Sequence, residues 1–180
     1  MKNEDKQRLI HRGIQVINVI TCTDFLGEET PNNEQIAEAL KILQPGIDRA
    51  CGDAFYLRGL LFEKVRNARA AISDYSTALS ISTTFIDAPS RLRRLCLKEG
   101  PKYTMTEEIE MYEEGLKGLK TDYRLRERLV KVLKTRATMR MVTEEYDQSL
   151  SDLTRASELA PDDPEIKRSL QDLAVIAYGN

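Results

Sequence analysis

The chain has 180 residues, 41% hydrophobic and 31% charged, with so few Gly and Pro (nine and six) that a helical protein is favoured over a sandwich or barrel. The length suits one folding unit with a real core. A net charge of −2 and an isoelectric point near 5.6 argue against a general electrostatic footprint for nucleic acid or a membrane surface.

From Lys6, the apolar residues Leu9, Ile10, Ile14, Ile17 and Ile20 keep helical spacing until Gly27 and Pro31 interrupt, which predicts a first helix ending near Cys22. Asn32 with Gln35 three places later is a capping arrangement, and Ile36, Leu40, Leu43 and Ile47 share one face of the helix that follows. Pro45-Gly46 is expected to break or kink it. Beyond, "GIDRACGDAFYLRGLLFEKV" and "ARAAISDYSTALSI" read as two helices joined at Arg66-Asn67. Asp87 and Pro89 suit the start of a helix over Ser90 to Lys98, which Gly100-Pro101 ends. Thr104 and Glu107 form a capping box ahead of "EEIEMYEEGLKGL", whose glutamates are expected to be solvated. A long pattern runs from Tyr123 to Met141, another from Tyr146 to Leu159. Asp163-Pro164 then opens a last helix, apolar at Ile166, Leu170, Leu173 and Ala177 and polar at Lys167, Arg168, Gln171 and Asp172. About nine helices and no strand are predicted, and the short links between them imply antiparallel hairpins.

Little in the sequence points to catalysis. His11 is the only histidine, and Cys22, Cys51 and Cys96 are widely spaced, so no zinc spacing or disulfide framework is signalled and buried reduced thiols are expected. No phosphate loop, dinucleotide turn or nucleophile elbow occurs. Neither an enzyme nor a cofactor or metal is expected. No apolar run approaches the roughly 20 residues that span a bilayer, and "MKNEDKQRLIHRG" lacks a signal-peptide core. A cytoplasmic place, or a nuclear one, is expected.

Internal repetition decides the predicted architecture. Gly59 is followed by Ala71, Tyr75 and Ala78, and Ala137 is followed at the same distances by Ser149, Leu153 and Ala156, with Pro161 closing the unit. A weaker set is Cys96, Glu108, Tyr112 and Gly115. The spacings between the leading small residues are 37 (59 to 96) and 41 (96 to 137), longer than the roughly 34 of the best-known helical-hairpin repeat.

These residues resemble the tetratricopeptide repeat, in which small residues let two helices pack closely, a large residue fills the groove between them and proline ends the unit. Phe55 and Phe62 match the family's other aromatic sites and Tyr146 the large residue opening the second helix. Thr83 stands where proline is usual, and Glu108 where alanine is. The resemblance implies an all-α superhelix of helical hairpins. Its units would be residues 52–85, 89–122 and 130–163, with a divergent helical pair over 1–50 and a capping helix over 164–178.

It further implies a protein-binding scaffold whose first helices line a concave groove. Carried over residue by residue, the groove positions are Asp53, Tyr56, Leu57, Leu60 and Lys64, then Arg93, Arg94 and Leu97, then Lys131, Lys134, Thr138 and Met141. Arg93, Arg94, Lys131 and Lys134 would grip an acidic segment or a C-terminal carboxylate, while Tyr56, Leu57 and Leu60 would take apolar side chains. Co-chaperones of this family hold a chaperone tail with a carboxylate clamp. Lys131 matches one clamp lysine, but Tyr56, Leu60, Arg94 and Thr135 replace the other clamp residues, so an atypical clamp is the alternative. A structural role, with Ile14, Ile17 and Ile20 packing in a larger complex or on a second copy, is a further reading. RNA binding through the basic "RLRERLVKVLKTRATMRM" is disfavoured by the lack of interleaved aromatics.

Overall fold

Local capping signals mark the start of several helices, while the α-helices opening at Gly52 and Tyr146 carry no side-chain cap. The computed structural model describes residues 31–179, and the predicted helix over residues 6–22, with His11 and Cys22, lies outside them. Helix α1 (Asn33–Ile47) opens on a reciprocal cap. Asn32 Oδ1 accepts from the Gln35 N–H and Gln35 Oε1 from the Asn32 N–H, both at 2.9 Å, satisfying donors that a first turn otherwise leaves bare.

Of the break or kink expected at Pro45-Gly46, the break does not occur: α1 continues to Ile47 before the turn at 48–51. Pro45 removes one N–H from the ladder and crowds the carbonyl four residues back, but only two helical residues follow it, and Gly46 serves as a contact point. A Cβ there would stand 2.6 Å from Ala54 Cβ, so α2 (Gly52–Lys64) approaches more closely than any larger residue allows. The chain reverses instead at Ala50, in the left-handed region at φ 51°. The buried face of α1 is Ala39, Leu43 and Gly46, with the predicted Ile36, Leu40 and Ile47 only half-buried.

The remaining helices are α3 (Ala68–Ile81), α4 (Ala88–Glu99), a 3-10 turn at Gly100–Lys102, α5 (Met105–Gly118), α6 (Tyr123–Val142), α7 (Tyr146–Leu159) and α8 (Pro164–Tyr178). The described residues thus carry eight α-helices and no strand. Helix α4 starts at Ala88, before the predicted Ser90. The predicted caps form where expected. The Thr104 and Glu107 side chains exchange bonds with each other's backbone N–H groups at 3.4 and 3.2 Å, and Asp163 Oδ1 accepts from Glu165 N–H at 2.8 Å. Asp122 is a cap the pattern did not announce, accepting from the N–H groups of Arg124 and Leu125. Each such cap is worth about 1 kcal/mol, less than the roughly 1.5 to 3 kcal/mol of one fully buried leucine, so packing decides the fold.

The chain divides into two compact units. Among the described residues the first runs to Leu95 and includes Lys117–Lys120, and the second holds Cys96–Leu116 and the chain from Thr121 onward. The core of the first is the α2–α3 hairpin, where Leu61, Ala71, Ile72, Tyr75 and Ala78 are fully buried. Gly59 lies flat against Tyr75, whose ring would be 2.8 Å from any Cβ at that site. Arg58 Nε and Nη2 each donate to Asp74 at 2.8 Å, and Asp74 as a residue is 3% exposed.

In the second unit the α6–α7 hairpin repeats these internal details. Arg136, immediately before Ala137, donates two bonds to Asp152, again 3% exposed, and both arginine–aspartate pairs span 16 residues. The turn residues Arg66 and Glu144 are both left-handed, at φ 60° and 63°. Ser149 Oγ donates to the Ala137 carbonyl at 2.9 Å. Helix α8 closes this hairpin, with Leu173 fully buried on Ala137 and Leu153, and Leu170 and Ala177 packed beside it. Lys167, Arg168, Gln171 and Asp172 are exposed, as the pattern predicts.

Cys96 is fully buried in the second unit and packs on Gly115, where a Cβ would come within 2.7 Å of its Sγ. Burial, followed by the nearby carboxylate of Asp122, pushes this thiol up to about 12. Cys51 corrects the expectation of buried thiols: it is half-buried because it stands in the turn before α2. Nor are the glutamates of α5 simply solvated, since Glu108 accepts from the buried Tyr112 hydroxyl at 2.7 Å and Glu113 from Arg155 at 3.1 Å.

Candidate functional site

Helix α6 turns Leu125, Leu129, Val130, Leu133 and Ala137 inward. With 3.6 residues per turn, Glu127, Lys131, Lys134, Thr135 and Thr138 fall on another face. There they line a cavity of about 400 Å³ with Val130 at its base and, as a second wall, Asp163 and Glu165 from the start of α8. Three of the sequence-predicted residues, Lys131, Lys134 and Thr138, are therefore brought together within the second unit. From Glu127 to Thr138 the stripe is about 16 Å long, room for about five residues of extended chain.

The two lysines differ. Lys134 is half-buried, donates to Asp163 Oδ2 at 3.1 Å and also pairs with Glu165. Burial works against its ammonium, but the bonds to Glu165 and Asp163 outweigh that and raise its pKa. Asp163 shows the reciprocal effect. Burial opposes its charge, yet Lys134 and the N–H groups of Glu165 and Ile166 hold its carboxyl below the ordinary value. Lys131 is exposed, and among the described residues no carboxylate pairs with it. Thr135 and Thr138 donate their hydroxyl protons to the carbonyls of Lys131 and Lys134, each at 3.0 Å. Their oxygens are thereby left to accept from a ligand's N–H groups.

Protein-family models, curated proteins and solved structures were all compared with the chain. None matches.

The other predicted site residues lie elsewhere, and several of them serve internal contacts. In the first unit the Tyr56 hydroxyl donates to Asp87 at 2.7 Å while its ring stacks on Phe85 at 5.0 Å. Burial and the Asp87 bond push its pKa up to about 12. Leu57 and Leu60 are half-buried against the α1 cluster of Ala39 and Leu43. Arg94 is exposed and pairs with Glu63, which also accepts from Arg91 at 3.2 Å and from the Tyr75 hydroxyl at 2.8 Å. Arg93 and Lys64 are half-buried and Asp53 is exposed. In the second unit Leu97 is half-buried, and Met141 packs on the Ala137–Leu153 cluster instead of lining the cavity.

Sequence reasoning missed Glu127, Val130, Asp163 and Glu165 as lining residues, and it noted Thr135 only as a replacement in the carboxylate clamp. Glu127 precedes Lys131 by four places, a helix-face neighbour readable from spacing. Asp163 and Glu165 reach Lys134 across 29 and 31 residues, and only the folded hairpin reveals them. Among the described residues no group of three or more His, Cys, Asp or Glu is placed to hold a metal. No described helix is long and apolar enough to cross a membrane.

Proposed function

We propose that this chain is a non-enzymatic scaffold of tetratricopeptide-like hairpins that binds a short extended peptide on the exposed face of α6, with a peptide carboxylate on Lys131. The observation that carries this reading is the cavity, which gathers Lys131, Lys134, Thr135 and Thr138 on one helix face. Its donors and acceptors suit a peptide. Lys131 offers an ammonium to an acidic side chain or C-terminus, and the two threonine oxygens accept from backbone N–H groups. The matched geometry of the α2–α3 and α6–α7 hairpins, including the ion pairs Arg58–Asp74 and Arg136–Asp152, supports the repeat reading.

An exposed charge pair contributes about 0 to 1 kcal/mol. Lys131→Glu, which removes the attraction and adds repulsion, should therefore weaken binding of an acidic peptide by about tenfold. Isothermal titration at two salt concentrations checks this. Affinity should fall with salt, and the variant's helical circular dichroism should match the parent's. An unchanged affinity in Lys131→Glu would refute the site.

A further inference from the structure

We propose that the first turn of α8 is a built-in competitor at this site: Asp163 and Glu165 hold the Lys134 ammonium that a ligand carboxylate would otherwise take, so that Glu165 sets how tightly an acidic segment binds. The inference rests on the peptide-binding reading above and names its internal control.

Both carboxylates come from a helix that is itself well anchored. Ile166 and Leu173 of α8 are fully buried, and Asp163 is fixed by accepting the N–H groups of Glu165 and Ile166 at 2.8 and 3.3 Å. Glu165 is different. Its side chain is 72% exposed against 23% for Asp163, so it can turn into solvent without disturbing the cap. An incoming carboxylate has two routes to Lys134. It can displace Glu165, or it can crowd a third negative charge around one ammonium. The cavity walls add to the second cost, because Glu127, Asp163 and Glu165 all line the space the ligand enters. Neutralising Glu165 frees a donor on Lys134 and removes a repelling charge. Both effects act in the same direction.

The test is fluorescence anisotropy with a fluorescein-labelled, C-amidated peptide alternating Glu and Ser, on the full chain and on Glu165→Gln, Lys134→Gln and the double variant. Glutamine keeps the side-chain length and leaves the Asp163 cap in place. Glu165→Gln should tighten binding about threefold to fivefold at low salt, and less at high salt. In the Lys134→Gln background the gain should be clearly smaller, because the ammonium being competed for is gone and only the removal of a repelling charge remains. Binding seen only after Glu165→Gln would also support the competitor. Unchanged affinity in Glu165→Gln, or the same gain without Lys134, would overturn the competitor while leaving peptide binding intact. Failure of all four proteins to bind would overturn both.

Discussion

Asp74 and Asp152 are each 3% exposed, and carboxylates so placed need charged donors: Asp74 accepts two bonds from Arg58, and Asp152 two from Arg136 and a third from Arg140. Burial pushes the Asp74 carboxyl up, the Arg58 bonds oppose that without reversing it, and the same bonds raise the Arg58 pKa. The pair is therefore a matter of specificity as much as of stability. In the middle stretch Leu95 and Met111 stand immediately before Cys96 and Tyr112, as Arg58 and Asp74 stand before Gly59 and Tyr75, and both are buried. Asp74→Ala should cost about 1.5 to 3 kcal/mol in urea unfolding, the loss of a charge-assisted bond. The double change Arg58→Leu with Asp74→Met, which copies the middle stretch, should recover most of it. A double variant as unstable as Asp74→Ala alone would show that the ion pair is not exchangeable for apolar contact. The ion pairs were legible in principle, since Arg58 and Arg136 directly precede the small residues that marked the repeat. Only the structure shows that the aspartates 16 residues on are buried and paired.

At the scale of the element, helix ends were read well and one break was not. Asn32, Thr104 and Asp163 cap where spacing says they should, because a cap is a bond between residues two or three places apart. Pro45-Gly46 misled because the same glycine that can end a helix can also admit a neighbour, and the Ala54 side chain 2.6 Å from its would-be Cβ decides for the second use. Gly59 plays this part within α2–α3, where the Tyr75 ring fills the space. At the corresponding place α6–α7 has Ala137 facing Leu153, a larger small residue matched with a smaller large one. Gly59→Ala should therefore destabilise by about 1 to 3 kcal/mol through overpacking. Combined with Tyr75→Leu, its cost should fall well below the sum of the single changes. Strict additivity in thermal unfolding would show that the two sites do not share the packing constraint.

At the scale of the whole molecule, the all-helical architecture of the described residues was legible from periodicity, but which cations remain available to a ligand was not. Arg94 and Lys134 both looked like groove cations, and each is paired with a carboxylate 31 residues away, Glu63 and Glu165 respectively. Such partners are set by how hairpins pack, and no local pattern announces them. Of the predicted site residues, Lys131, Lys134 and Thr138 share one face of α6 in the second unit, and Asp163 and Glu165, which no spacing placed there, line the same cavity. The most direct measurement is the change in backbone amide NMR shifts when an acidic peptide is titrated into the isotope-labelled chain. The account predicts saturable shifts concentrated at Glu127, Lys131, Lys134, Thr135, Thr138 and Glu165, enlarged in Glu165→Gln. Shifts confined to the first unit, or none at peptide concentrations that saturate anisotropy, would contradict it.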